Sequence, residues 1–378
     1  MASARAASCR FEQQTVTTDK RMKSRITAAL AICLQGVLAA FASPADSVPS
    51  RGWTDESVLA LNVEARLDGQ IVTNSGTTND AQTGFMGKYL ALNAQGTITE
   101  GLRYSWRQRF SRTPKDATFW DQTDILDLSY STGKFDFGAG KQVVLIGGYE
   151  YNREPIELMC PNIFVSNVAC YQFGISAGYQ LTASDHLAFQ VSQSLFATAA
   201  NRNLYAYNLQ WSSRRDFGDY LRFETIWSVN EIEYQKGKYC NYVALGNKLV
   251  IDEDITVLLD LMTRTYPDNR AFKNNTFMLE GSWEFHPKWR ATAKVSYDCN
   301  MGVNTTKHSE VARGSELTTL GGVMEWYPIR KKRHLLKAHA AIFYSFGKNK
   351  NKADLMQKNT LYASLGLTWQ MNLLNLRR

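Results

Sequence analysis

The sequence predicts an all-β fold: a transmembrane antiparallel β-barrel of 16 strands. Residues 361–373 alternate strictly between apolar and polar side chains, with Leu, Ala, Leu, Leu, Trp, Met and Leu on one parity. Successive side chains of a strand point to opposite faces, so one face of this strand is apolar throughout. Sixteen such stretches follow one another with polar turns between them. An export signal precedes them, and the three observations together favour a membrane barrel.

The length of the alternating stretches separates this fold from soluble sheets. Strands in soluble domains are usually about 5–6 residues long, whereas about 9–11 tilted residues cross a bilayer. After residue 42 no run approaches 18 consecutive apolar residues, which excludes helical spans. The apolar fraction of 44% and the mean hydropathy of -0.32 fit strands of which half the residues are polar.

The predicted strands come as hairpins. They cover residues 57–72, 86–98, 102–112, 123–132, 134–142, 170–181, 186–197, 203–213, 219–231, 239–250, 255–266, 275–286, 289–300, 317–327, 334–346 and 359–373. Longer loops are expected at 73–84, 113–122, 198–202, 231–238, 266–274, 301–316 and 347–358. Short turns alternate with them, as short periplasmic turns alternate with long external loops in outer-membrane barrels.

Tryptophans on the outward parity predict an interfacial girdle. They are Trp211, Trp227, Trp283, Trp289, Trp326 and Trp369. The alternative is a soluble β-sandwich or propeller whose core the aromatic residues would fill. That alternative would place the polar face outside unusually long strands.

The N-terminus predicts export. Met22 begins a short basic head, residues 26–41 are almost wholly apolar, and residues 40–42 have the small-x-small form of a cleavage site. We therefore predict a signal-peptide region at 1–42, with a true start at Met22, and the barrel at 43–378. Removing residues 1–42 lowers the net charge from +8 to +4. The remaining basic residues form no clustered face, so no nucleic-acid partner is expected.

The hydrocarbon core of the membrane requires the sheet to close into a barrel. Each unpaired backbone group costs several kcal/mol in hydrocarbon, so an open sheet edge is not tolerated there. At sixteen strands the interior is too wide for wall side chains to fill, and a water-filled channel is expected.

The inward parity collects nearly balanced charges, most of which we interpret as cross-strand pairs. The third predicted strand differs, because Arg103, Arg107 and Arg109 share one face with no acid among them. Basic rings attract anions, and a guanidinium can hold two phosphate oxygens. These arginines are candidates for an anion ladder.

Residues 143–168 interrupt the alternation. Their apolar composition suits burial better than exposure, so we predict an inward-folded constriction loop. The side chains expected to face the solute are Tyr149, Glu150, Tyr151, Asn152, Arg153, Glu154 and Glu157. The alternative is a surface loop packed on a neighbouring protein or a trimer partner.

Four cysteines remain after the signal region. An exported chain meets oxidising conditions, so a disulfide between Cys160 and Cys170 is predicted. The pairing of Cys240 and Cys299 stays open. No cysteine or histidine spacing resembles a metal site, and no cofactor is expected.

Three segments, residues 104–110, 140–151 and 170–174, resemble the phosphate-selective porin O and P family. They read YSWRQRF, GKQVVLIGGYEY and CYQFG. The resemblance covers the mature chain and implies a sixteen-stranded outer-membrane porin with an inward third loop, commonly trimeric. Phosphate-specific members line the constriction with an arginine ladder and a lysine cluster. The corresponding residues here are Arg103, Arg107, Arg109, Lys141 and Arg153, mixed with acids and without a dense lysine cluster.

The expected function is passive diffusion of small hydrophilic solutes across the outer membrane, with a preference for anions or phosphate. The expected partners are outer-membrane lipid, small anions and further copies of the chain in a homotrimer. Two alternatives remain: a structural or adhesive barrel without an open channel, and a barrel-borne hydrolase. No motif joins the available Ser, His and Asp residues, so an enzyme is not expected.

Overall fold

One antiparallel sheet closes on itself through its first and last strands. A computed structural model describes residues 57–111, 118–198, 200–267, 272–302, 309–329, 332–333 and 335–377. The first strand pairs with the last from Ser57↔Arg377 to Asn74↔Thr360, which completes the ring. The predicted signal region, residues 1–42, lies outside the described residues.

Within the described ranges the sheet contains sixteen long strands and one of two residues. The first nine are β1 Ser57–Asn74, β2 Thr77–Thr78, β3 Gly84–Thr99, β4 Leu102–Arg109, β5 Thr123–Thr132, β6 Phe135–Val143, β7 Tyr171–Gln180, β8 Asp185–Gln193 and β9 Tyr205–Phe217. The others are β10 Leu221–Gln235, β11 Lys238–Ile251, β12 Ile255–Thr265, β13 Asn274–His286, β14 Trp289–Asn300, β15 Glu316–Trp326, β16 Leu336–Lys348 and β17 Thr360–Arg377.

The sixteen predicted strands are confirmed, and β2 adds only a short pairing with the end of β1. One predicted loop, residues 231–238, is wrong. The β10–β11 ladder continues to Gln235↔Lys238, and the chain reverses over two residues. Gly237 takes a φ of 73° there, which suits a tight turn because glycine has no Cβ to clash.

The two faces of β17 differ as the alternation predicts. Leu361, Leu365 and Leu367 are 38–69% exposed, whereas Tyr362 and Thr368 are 0–2% exposed. Apolar side chains that remain exposed in long contiguous bands match a lipid-facing surface rather than a water-facing one.

Several tryptophans lie on the outer surface near one rim. Trp283, Trp289 and Trp326 are exposed, and the rings of Trp289 and Trp326 are 6.3 Å apart. These three side chains lie at the strand ends beside short turns, as an interfacial girdle requires.

The helices of the described residues are short. They are α1 Phe119–Gln122 and α2 Ile163–Asn167, with 3₁₀ turns at Asp80–Gln82 and Pro155–Glu157. Among the described residues, no helix has the length and apolarity needed to cross a membrane.

If these leucines face lipid, an arginine in their place should destabilise the barrel more the deeper it lies in the bilayer. Leu365 pairs with Gly69 near the middle of the β1–β17 ladder, and Leu361 lies near its end. Leu365→Arg should lower the free energy of unfolding by about 2–4 kcal/mol, and Leu361→Arg by about 0–1 kcal/mol. Urea unfolding in lipid vesicles, followed by tryptophan fluorescence, measures both variants. Equal costs for the two would contradict the assignment.

Candidate functional site: the β6–β7 segment and its cavities

The chain between β6 and β7, residues 144–170, is called here the β6–β7 segment. Its first part is held by polar side chains of the barrel strands. Gln190 accepts a hydrogen bond from the Leu145 amide at 3.0 Å, and Ser228 accepts one from the Gly147 amide at 2.8 Å. Asp260 accepts from the amides of Tyr149 and Glu150, both at 2.8 Å. The segment therefore passes along β8, β10 and β12.

Three glycines allow this close approach. A Cβ on Gly147 would stand 2.6 Å from the Ile226 carbonyl oxygen, and one on Gly246 would stand 2.6 Å from the Gly148 Cα. Gly148 also takes a φ of 100°. Backbone can lie directly on backbone here only because side chains are missing on both sides.

Neighbouring residues of the segment reach strands on opposite sides of the ring. Arg153 binds Glu280 of β13 through two hydrogen bonds of 3.0 and 2.7 Å. Glu154 pairs with Arg107 of β4 at 2.6 Å. Along the sixteen long strands β4 and β13 are seven positions apart one way and nine the other. Arg153 and Glu154 thus contact side chains of strands that are far apart in the ring.

Buried charges anchor the rest of the segment. Lys294 of β14 pairs with Glu150 and also donates to the Cys160 carbonyl at 2.5 Å. Lys337 of β16 pairs with Glu157, and Arg66 of β1 donates to the Leu158 carbonyl at 2.7 Å. Cross-strand pairs also occur, as expected from the inward parity; Lys248 and Glu224 are 3.0 Å apart. Many of the inward-facing charged side chains, however, pair with the segment.

Apolar side chains of the segment are buried. Val144, Ile146, Ile163 and Phe164 are 0–4% exposed and belong to one apolar cluster with wall residues such as Tyr242. These side chains therefore belong to the apolar core of the protein.

The predicted anion ladder is placed beside carboxylates. Arg107 pairs with Glu154, and Arg109 forms two hydrogen bonds with Asp124 at 2.6 and 2.9 Å. Arg103 lies on the same strand and on the same face as Arg107 and Arg109. The ladder therefore carries less net charge than its sequence suggests, since Asp124 and Glu154 approach from outside the strand.

The other candidate residues fall into different environments. Lys141 donates to the Trp120 carbonyl and lies over the Phe173 ring. Tyr151 is buried and donates to the Val144 carbonyl at 3.1 Å. Asn152 donates to the carbonyls of Ile146 and Gly148, at 2.8 and 2.7 Å, and so stabilises the turn.

The predicted Cys160–Cys170 disulfide is wrong in this structure, where both residues are thiols. The carbonyl of Cys160 is held by Lys294 of β14, whereas the carbonyl of Cys170 accepts from Val144 at the β6–β7 end. These anchors lie on distant strands. Burial raises the pKa of the Cys160 thiol to about 12, against the opposing effect of Lys294. Cys240 and Cys299 are thiols as well.

Two cavities lie next to the segment. Cavity A, about 300 Å³, is lined by Glu150, Arg153, Glu157, Leu158, Met159, Cys160, Glu280, Arg290, Thr292, Lys294, Val323, Glu325 and Phe343. Cavity B, about 370 Å³, is lined by Tyr149, Asn152, Arg153, Lys248, Glu253, Asp254, Thr256, Leu258, Ser282, Glu284 and Arg290. Both border on Arg153 and Arg290. In the described part of the chain, no group of three or more His, Cys, Asp or Glu side chains is placed to hold a metal ion.

The rim that carries the long connections is basic between β12 and β17. The exposed cations there are Lys273, Arg313, Lys348, Lys350, Lys352 and Lys358. Asp354 of the same rim is bound by Asn167 and Asn349, at 2.9 and 3.1 Å. A carboxyl of this rim, Glu310, is buried and accepts from the Tyr242 hydroxyl at 2.8 Å.

A closed ring of sixteen long strands, apolar outside and polar inside, defines a transmembrane barrel of the outer-membrane porin class. Residues 60–234 match the family model of phosphate-selective porin O and P, which confirms the resemblance predicted from the sequence. The chain is an outer-membrane porin. No functionally curated protein matched it.

Solved porin structures share the fold. The anion-selective porin from Comamonas acidovorans superposes with a TM-score of 0.58 at 12% identity, over 84% of this chain and 100% of that one. OmpF of Salmonella typhi gives 0.56 at 11%, over 84% and 99%. The trimer form of OmpT from Vibrio cholerae gives 0.50 at 10%, over 83% and 100%. At these identities the likeness establishes the fold.

We expect a large interaction energy between Glu150 and Lys294. Lys294→Met leaves the carboxylate of Glu150 buried without its cation and should cost about 3–5 kcal/mol of unfolding free energy. Adding Glu150→Gln should recover much of that loss. Urea unfolding of both single variants and the double variant completes a double-mutant cycle. Additive losses would show that the two side chains do not interact.

Glu310 predicts a pH dependence. Burial is the main cause that raises the pKa of this carboxyl above its usual 4.5. A raised pKa in the folded state means that the stability it contributes is fully present below pH 4.5 and is lost as pH rises through the folded value. Glu310→Gln should therefore gain stability relative to wild type between pH 4 and pH 8. Unfolding at both pH values, with Glu100→Gln in an exposed turn as control, measures this; a constant difference for Glu310→Gln would contradict it.

Proposed function

We propose that the protein is a passive diffusion channel for small hydrophilic solutes, narrowed by the β6–β7 segment. The observation that carries this proposal is the bridge formed by Arg153 and Glu154, which contact β13 and β4. A segment that lay on the outer surface could not meet polar side chains of strands from both sides of the ring. The aqueous route then runs past the segment, through spaces such as cavities A and B.

The channel has a modest preference for anions in this proposal. The family match and the anion selectivity of the Comamonas porin support that direction. The basic rim supports it too, because clustered charges at a mouth raise the local concentration of oppositely charged solutes. Arg103, Arg107, Arg109, Lys141 and Arg153 remain the proposed pore-lining cations. The carboxylates paired with Arg107, Arg109 and Arg153 argue for weak rather than strict selectivity.

The channel is proposed to be non-enzymatic and to assemble as a homotrimer. The trimer form of OmpT, an outer membrane protein of Vibrio cholerae, supports the assembly. Purified protein should hydrolyse neither lipid nor ester substrates, and its mass in detergent should equal three chains. A silent protein in planar bilayers would instead favour the structural or adhesive alternative.

Reversal potentials across a KCl gradient in planar bilayers test the selectivity. Wild type should prefer chloride over potassium. A variant with Lys348, Lys350, Lys352 and Lys358 each changed to Gln should lose most of that preference, since the basic rim is neutralised. Glu154→Gln should strengthen it, because the charge of Arg107 is no longer balanced.

The matched control changes Lys288 and Lys332 to Gln, two exposed lysines in short turns at the opposite rim. Its reversal potential should stay within a few millivolts of wild type, whereas an ideally selective pore under a tenfold KCl gradient would give about 59 mV. A preference for potassium in wild type, or an unchanged potential in the rim variant, would overturn the proposed anion preference.

A further inference from the structure

Cavity A combines both signs of charge with an apolar wall. Its cations are Arg153, Arg290 and Lys294, and its acids are Glu150, Glu157, Glu280 and Glu325. Leu158, Met159, Val323 and Phe343 supply the apolar part. A volume of about 300 Å³ is at the small end for ligand sites, and such sites combine apolar lining with a few placed polar groups. The balanced charges do not favour a simple anion.

Two of the cations are already well matched. Arg153 is bound by both oxygens of Glu280, and Lys294 is bound by Glu150 and the Cys160 carbonyl. Each of these two cations therefore has close hydrogen-bond acceptors within the protein. They shape the cavity rather than offer a free charge to a solute.

Arg290 differs from them. Its nearest ionic contact is from Nε to Glu325 at 3.9 Å, and one terminal nitrogen donates to Ser282 at 3.1 Å. The guanidinium also interacts with the Tyr327 side chain. Its Nε is buried and has no hydrogen-bond partner among the described residues, so the terminal nitrogens are the donors that can face the cavity. A guanidinium presents five donors in a fork that fits a carboxylate, so Arg290 retains capacity for one.

Glu157 offers the opposite pole. Its side chain is 38% exposed, and its ionic partner Lys337 is shared with Glu325 at 2.8 Å. A carboxylate has about four acceptor sites, so one lysine does not exhaust it. Glu325 contacts both Lys337 and Arg290, which places the two poles on either side of it within one cavity.

We propose that cavity A binds small zwitterions that carry a carboxylate, an ammonium group and a short apolar side chain, as free aliphatic amino acids do. The carboxylate lies on Arg290, the ammonium on Glu157, and the side chain against Val323 and Phe343. This inference rests on the proposed diffusion channel and names a solute class for it. The site binds such solutes as they pass through the channel. It therefore favours them over other small solutes.

Three probes of one shape test the proposal: leucine, N-acetyl-leucine without the ammonium, and leucinamide without the carboxylate. Calorimetric titration of the full chain in detergent measures binding, and block of the KCl current in planar bilayers measures entry from the aqueous path. Leucine should bind about tenfold more tightly than either analogue, the ratio expected for loss of one charge-assisted contact.

Two variants assign the poles. Arg290→Gln should bring leucine to the affinity of leucinamide, and Glu157→Gln should bring it to that of N-acetyl-leucine. Each retains a hydrogen-bonding side chain, and Lys337 keeps Glu325 when Glu157 is changed. Arg215→Gln, whose cation pairs with Asp185 at 2.7 Å, serves as control and should bind leucine as wild type does.

The outcomes separate the two proposals. Equal affinities for the three probes, tightest binding of N-acetyl-leucine, or unchanged binding in both pole variants would overturn the zwitterion site. Leucine binding in detergent with no KCl current in bilayers would overturn the diffusion channel and leave the site standing. Current without any leucine binding would do the reverse.

Discussion

The pairing of β1 with β17 is the contact on which the whole structure depends. It joins the first and last strands over seventeen residue pairs, from Ser57↔Arg377 to Asn74↔Thr360. In hydrocarbon, unpaired backbone groups have no water to bind, so a sheet with a free edge of this length would not be stable. Closure allows one face of every strand to meet lipid while the other encloses a polar interior.

The proposed inward fold of the β6–β7 segment distinguishes this barrel from an open channel. The proposed constriction follows from charges that the strands would otherwise bury alone. Asp260 and Lys294 lie on separate strands, and each finds partners in the β6–β7 segment. Removing such a partner leaves a costly unpaired charge, so the wall and the segment stabilise each other. The pair between Glu154 of the segment and Arg107 also reduces the net charge that the arginines of β4 present to a solute.

The sequence predicts the barrel well because its signal is periodic and local. The alternation in 361–373 and the turn residues between hairpins need no distant information, and β5 matches its predicted bounds, residues 123–132. The loop predicted at 231–238 failed because the polar residues there continue a ladder beyond the apolar band.

The candidate site was harder to predict, since its contacts join residues far apart in the chain. Nothing near Arg107 shows that Glu154 will approach it, and nothing near Cys160 shows that Lys294 will bind its carbonyl. The available signal was indirect. Gly147 and Gly148 lie within the apolar interruption at residues 143–168.

Hydrogen–deuterium exchange of the β6–β7 segment tests the central claim most directly. If the segment is anchored across the lumen, the amides of Gly147, Tyr149 and Glu150 donate to wall side chains and should exchange as slowly as those of the neighbouring strands. Exchange as fast as that of the exposed turn at residues 218–220 would show a loosely held surface loop. The constricted channel would then be contradicted.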